Sequence, residues 1–105
     1  LLPGRSREAP RPWLGMYTAE TQNGLVVNGL AAEGPADKAG IMPGDVVVAV
    51  GDNRVALLAD MYRAIWSKGP AGAEVALTVA RDGTPVRVLV HSGDRRDFLR
   101  KPRLQ

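Results

Sequence analysis

The chain has 105 residues, 45% of them apolar, with a net charge of +3 and no cysteine. That is enough for one domain with a single modest core, and it excludes disulfides, thiolate zinc sites and cysteine nucleophiles. No apolar run approaches the roughly 18 residues that cross a bilayer, so no membrane segment is expected in this stretch.

Leu1-Leu2-Pro3 is far too short for a signal peptide. Leu1 stands where an initiator Met would, which predicts a segment of a longer chain. Residues 1–12 hold three prolines, one glycine and few apolar side chains, and read as a linker or flexible lead-in. They carry Arg5, Arg7 and Arg11 against Glu8. The fold is expected to start at Trp13, giving a domain over 13–93. Leu14, Met16 and Thr18 alternate with Gly15, Tyr17 and Ala19, the period of a strand. Gln22-Asn23-Gly24 signals a turn, and Gly24 to Leu30 forms a second strand through Leu25, Val26 and Val27.

Ala31 to Gly34 leads into a short helix over 35–39. Pro35 suits the first helical position, where no N–H is needed. Gly40 suits the left-handed residue that ends the helix. Pro43-Gly44 is a tight turn, and Asp45 can bond its own backbone there. Asp45 to Val50 is apolar on both faces and reads as a central strand. Gly51-Asp52-Asn53 turns the chain into a brief strand at Arg54-Val55-Ala56. Residues 58–67 are the one long helix, with Leu58, Met61, Tyr62, Ile65 and Trp66 at helical spacing. Gly69-Pro70-Ala71-Gly72 stops it. Glu74 to Ala80 and Pro85 to Val90 alternate as strands about an Asp82-Gly83 hairpin turn. Residues 94–105 form a basic tail, with Arg95, Arg96, Arg100, Lys101 and Arg103 against Asp94 and Asp97. The high isoelectric point thus belongs to the ends, while the body between them is net acidic. One aromatic, Phe98, and no nucleic-acid motif accompany that tail. It reads as solvated, and no nucleic acid is expected as a partner.

The order is strand, strand, short helix, strand, strand, long helix, strand, strand. It predicts a mostly β fold, a small sandwich or barrel with two helices. Gly34-Pro35-Ala36-Asp37-Lys38-Ala39-Gly40-Ile41-Met42-Pro43-Gly44-Asp45, followed by Val46 to Val50, closely resembles the core motif of PDZ domains. The form is that of bacterial trypsin-like serine proteases of the HtrA or Deg type. The resemblance covers residues 13–92. It implies the circularly permuted bacterial version of the fold, in which the ligand loop comes first and the last hairpin ends the domain.

The resemblance also implies a site for the free C-terminus of a peptide, which would add a strand to the sheet. Trp13-Leu14-Gly15-Met16 resembles the loop whose backbone N–H groups hold the terminal carboxylate. The donors would be Leu14, Gly15 and Met16, with Gly15 allowing close approach. Tyr17, Thr18 and Ala19 would continue the strand that pairs with the peptide. Leu58, Tyr62, Ile65 and Trp66 would line the groove from the helix, with Met61 turned inward. Met16 and Met61 would suit an adaptable pocket that accepts Val, Leu, Ile or Phe. Animal PDZ domains often carry a His at the start of this helix to select Ser or Thr. Leu57-Leu58-Ala59-Asp60 stands here instead, which points to apolar tails.

Catalytic machinery is not expected. The single His is His91, at the end of the last strand. Ser67 and Ser92, the serines outside the lead-in, lie in no nucleophile motif. Asp37, Asp45, Asp52, Asp60 and Asp82 sit at turns or helix starts, where capping explains them without metal. No cofactor is implied. The expected partners are C-terminal or unfolded peptides with apolar ends and a covalently linked protease domain in the parent. A periplasmic or envelope location is suggested by the resemblance alone. Two alternatives stand beside this reading. One is a PDZ module of a membrane metalloprotease or secretion component. The other is an interaction module whose groove is filled by its own or a neighbour's chain, through Phe98-Leu99 or Leu104-Gln105.

Overall fold

The computed structural model describes residues 10–96. Eight elements follow in chain order: β1 (Met16–Thr21), β2 (Gly24–Leu30), α1 (Pro35–Ala39), β3 (Val46–Val50), β4 (Asn53–Arg54), α2 (Leu58–Trp66), β5 (Glu74–Arg81) and β6 (Thr84–His91). This is the mostly β fold with two helices that the sequence predicts, in the order it predicts. All the strand pairings are antiparallel, and they join the strands in the order β1-β2-β3-β5-β6 with β4 on β3. Beyond that path, Trp13 ahead of β1 pairs with Gly93 after β6, with N–H···O distances of 2.9 and 3.0 Å. The two ends of the sheet therefore meet, and the sheet curls around its core.

Turn chemistry sets the register. Asp82 and Gly83 both adopt positive φ, 53° and 79°, as a two-residue turn matched to strand twist requires. Every residue of β5 then pairs with one of β6, from Glu74 with His91 to Arg81 with Thr84. Alternation does the rest. Val75, Leu77 and Val79 of β5 point inward with Val88 and Val90 of β6. Leu25 and Val27 of β2 and Val47 and Val50 of β3 complete the sheet's inner face. Met61, Ala64 and Ile65 of α2 and Ala36 of α1 close it. Full burial of a Val or Leu side chain stabilises a fold by roughly 1.5–3 kcal/mol, so this cluster carries most of the folding energy.

Asp45 is the one buried carboxylate among the described residues, 2% exposed. Its Oδ2 accepts the Met42 N–H at 2.9 Å, which closes the Pro43-Gly44 turn. Arg81 of β5 donates to both carboxylate oxygens, at 2.9 and 2.7 Å, and to the Gly40 carbonyl that ends α1. One guanidinium thus joins the turn before β3, the end of α1 and the end of β5. The Arg81 hydrogen bonds hold the Asp45 carboxyl below its ordinary value of 3.8, against the opposing effect of burial. A depressed carboxylate contributes stability that is full above that ordinary value and declines as pH falls through the folded one. Asp45→Ala should cost about 2 kcal/mol, or roughly 10 °C in thermal midpoint. It should also flatten the fall of that midpoint below pH 4, a comparison that thermal melts across an acid series would make.

Candidate functional site

The site is built where β1 leaves the sheet unpaired. Strand β1 bonds to β2 on one side and ends the strand order, so among the described residues its other side is an open edge. Met16 faces Leu30, and the Ala31 N–H donates to the Gly15 carbonyl at 2.8 Å. In an antiparallel ladder that bond flanks a non-hydrogen-bonded pair, so the N–H and C=O of Met16 point away from β2.

The two residues before it behave alike. The Trp13 carbonyl accepts from Gly93 at 3.0 Å, and the Leu14 carbonyl accepts from Ala36 in the first turn of α1 at 2.7 Å. Across a trans peptide the carbonyl and the next N–H point in opposite directions. Three consecutive carbonyls are thus held by the body, and the N–H groups of Leu14, Gly15 and Met16 are turned outward. Neither the Leu14 nor the Gly15 N–H meets an acceptor among the described residues. Gly15 has φ +72°, the left-handed region, and a Cβ there would lie 3.3 Å from Pro35 Cδ and from the Trp13 ring. The expected strand from Leu14 therefore begins two residues later, at Met16, because the chain turns at Gly15.

A cavity of about 470 Å³ opens beside this loop. Trp13, Leu14, Gly15, Met16 and Tyr17 line it from the loop and β1, and Tyr62, Ile65 and Trp66 from α2. Of the residues expected at the site, Thr18, Ala19 and Leu58 do not line it. Thr18 and Ala19 lie further along β1, and Leu58 packs part-buried against the core. Met61 is fully buried inside and does not reach the cavity. Ile65 serves both surfaces, since it is 2% exposed and forms part of the cavity wall. Tyr62 and Trp66 stack with ring centroids 5.7 Å apart.

Sequence reasoning missed three residues here. Arg11, placed in the lead-in, sets its guanidinium 4.0 Å from the Trp66 ring centroid and lines the cavity. The Pro10 carbonyl accepts from Ala71, so the described end of that lead-in runs along the body. Arg95 lines the cavity from beyond β6, brought there by the Trp13–Gly93 pairing. Glu20 is the third. Helix α2 has Leu57 at its N-cap, which offers no side-chain acceptor, and Glu20 Oε1 accepts the Leu58 N–H instead at 3.2 Å. A helix start without Ser, Thr, Asp or Asn was the available signal, because its first N–H groups need an outside acceptor. This bond ties α2 to β1 at the end of the edge remote from the loop. Glu20→Ala should speed amide exchange at Leu58 severalfold, and Glu20→Gln, which keeps the oxygen, should not; hydrogen exchange read by NMR separates the two.

His91 is exposed at the end of β6, with Nδ1 3.3 Å from a Glu74 carboxylate oxygen. Asp37 accepts the Glu33 N–H and Asp60 pairs with Arg63, both turn or helix-end contacts. No group of three or more metal-ligating side chains forms among the described residues. Phe98-Leu99 and Leu104-Gln105, the segments of the self-occupied alternative, lie outside the described residues, as do residues 1–9 of the lead-in and 97–105 of the tail.

Comparisons with known proteins bear on the family and the fold. A family model described as PDZ domain matches residues 12–91. A probable periplasmic serine endoprotease, DegP-like, from Hahella chejuensis is 30% identical over 95 residues, covering 79% of this chain and 20% of its own. A putative zinc metalloprotease from Mesorhizobium japonicum is 38% identical over 74 residues, covering 70% of this chain and 18% of its own. The solved structure of the HtrA-type protease AlgW with decapeptide matches with a TM-score of 0.72 at 24% identity, over 89% of this chain and 30% of that one. This chain spans a fifth or less of the length of these curated relatives. Its match to the family model, its element order and its relatives among HtrA-like serine proteases make it a member of the PDZ domain family.

Proposed function

We propose that this domain captures the free C-terminus of peptides with an apolar last residue. The peptide lies along the open edge of β1, between that strand and α2, and adds a strand to the sheet. Its carboxylate sits at the loop that precedes β1, so it runs antiparallel to β1. The observation that carries this reading is the set of three outward N–H groups at Leu14, Gly15 and Met16, at the head of a largely apolar cavity. Such a nest stabilises a negative charge. Leu14, Met16, Ile65 and Trp66 form the wall for the last side chain, with Trp13 and Tyr62 beside it. The cavity size falls in the range of ordinary ligand sites. Tyr17, Thr18 and Ala19 supply the edge along which the peptide pairs, and Leu58 supports the far part of the helix.

The domain itself carries out no chemistry in this reading. It serves a parent serine endopeptidase of the HtrA type by recruiting substrate or sensing a peptide. The DegP-like relative supports that parent, and the decapeptide in the AlgW structure supports a peptide as the occupant. The resemblance to a putative zinc metalloprotease favours a second reading of the parent, with the same peptide site attached to a metal-dependent enzyme.

Two measurements test this. A peptide ending in free Leu-Val-Phe should bind, and its C-terminally amidated form should bind at least tenfold more weakly, because charge-assisted bonds to the loop are lost. Fluorescence anisotropy with both peptides reads this, and equal affinities would remove the carboxylate role. The parent's peptidase activity should be blocked by a fluorophosphonate and should survive a metal chelator. The reverse pattern would select the metalloprotease.

A further inference from the structure

The backbone of β1 stays available to the open edge well beyond the loop. The Val27 N–H donates to the Asp45 carbonyl at 2.8 Å, and the Val27 carbonyl accepts from Gly44 at 2.7 Å. Both bonds run to the β3 side of β2. Thr18 faces Val27, so the two form a non-hydrogen-bonded pair, and the N–H and C=O of Thr18 point away from β2. The extra residue at the register shift is Asn28, on β2, so β1 keeps its alternation. Met16, Thr18 and Glu20 thus offer their backbone groups to the open edge and carry their side chains on one face. That face is the one toward α2. Met16 lines the cavity, and the Glu20 carboxylate accepts the Leu58 N–H at 3.2 Å.

A last residue whose carboxylate meets the Met16 N–H stands opposite Met16. In an antiparallel added strand the third residue from the end is then opposite Thr18, and the fifth is opposite Glu20. Directly opposite side chains share a face, with Cβ atoms about 4.5–5.5 Å apart. Glu20 is exposed, and it has no ion pair among the described residues. One carboxylate oxygen is taken by Leu58. That tie needs an oxygen and not a charge, so the charge is left for a ligand. Glu20 also lies four strand residues, roughly 13 Å, from Met16. This is beyond the Debye length of about 8 Å at physiological salt, so its charge is set apart from the terminal carboxylate. We propose that Glu20 is a specificity-determining residue that selects peptides with a Lys or Arg fifth from the C-terminus. The claim deepens the peptide-capture reading and rests on it. The ligand class is a C-terminal peptide with an apolar last residue and a cation four residues before it.

Labelled peptides ending in free Lys-Ala-Leu-Val-Phe, Gln-Ala-Leu-Val-Phe and Glu-Ala-Leu-Val-Phe test this by fluorescence anisotropy. At low salt the Lys peptide should bind about two- to fivefold more tightly than the Gln peptide, the scale of an exposed cross-strand ion pair. The Glu peptide should bind more weakly than either. These ratios should shrink toward one as the ionic strength rises. A peptide ending in Ala-Lys-Leu-Val-Phe turns its Lys to the other face and should lose the preference. Glu20→Gln keeps an oxygen for the Leu58 N–H and removes the charge, and it should bring the Lys-to-Gln ratio to one. Amide exchange at Leu58, slow in both wild type and Glu20→Gln, would show that the lost preference comes from charge and not from a displaced helix. A Lys-to-Gln ratio of one in the wild type, or a ratio that Glu20→Gln leaves as it was, overturns the role of Glu20 and leaves peptide capture standing. If none of the free-acid peptides binds, peptide capture fails, and this claim falls with it.

Discussion

The proposed peptide site of this domain depends on one arrangement of backbone polarity. Three consecutive carbonyls, of Trp13, Leu14 and Gly15, are each taken by a different part of the body: the chain after β6, the first turn of α1 and the chain after β2. Because carbonyl and N–H oppose each other across every peptide plane, the next three N–H groups face outward. The loop is thereby preorganised. On the proposed function, its donors need not be reoriented to meet a peptide carboxylate, and little ordering entropy remains to be lost. Any change in the packing of α1, β2 or the β6 end is felt at the loop.

The rest of the fold can be read as what keeps that arrangement in place. Ala36 is fully buried in α1 and donates to Leu14, so the helix that supplies the contact is anchored in the core. The Arg81–Asp45 pair fixes the end of that helix against β5 and the turn before β3. On the other side of the cavity, Met61, Ala64 and Ile65 seat α2 on the core, and Glu20 ties its first turn to β1. Tyr62 and Trp66 are left partly exposed as a stacked wall. An open strand edge is ordinarily an aggregation hazard. Here α2 lies alongside it, which leaves a gap that suits one extended chain.

Much of the fold was legible from local chemistry. The Pro35 start and Gly40 stop bound α1 at the residues expected, and Gly40 adopts φ 99°. The Asp82-Gly83 turn and the alternation on either side specified the last hairpin. What was not legible depends on distant contacts. Leu14 alternates as a strand residue should, but its neighbours bond to Gly93 and Ala31, so β1 begins at Met16. The brief strand expected at 54–56 is Asn53–Arg54, because pairing with β3 sets its bounds and its own residues do not. At the site, the resemblance to PDZ domains pointed to the loop and helix residues, and one cavity brings Trp13 to Tyr17 together with Tyr62, Ile65 and Trp66, though not Thr18, Ala19 or Leu58. Arg11, Glu20 and Arg95 could not be placed that way. Each acts across the fold, through an aromatic ring, a helix start or a bridge between chain ends; the uncapped start of α2 alone leaves a local sign, and it does not say which distant acceptor serves it.

The central claim is that the outward edge of the loop and β1 receives a peptide backbone. Amide hydrogen exchange of the isotope-labelled domain, with and without saturating free-acid peptide, tests this most directly. The account predicts added protection at Leu14, Gly15 and Met16 and at alternate amides of β1, with β6 unchanged. Protection confined to α2 or to β6, with the loop amides exchanging as before, would contradict it.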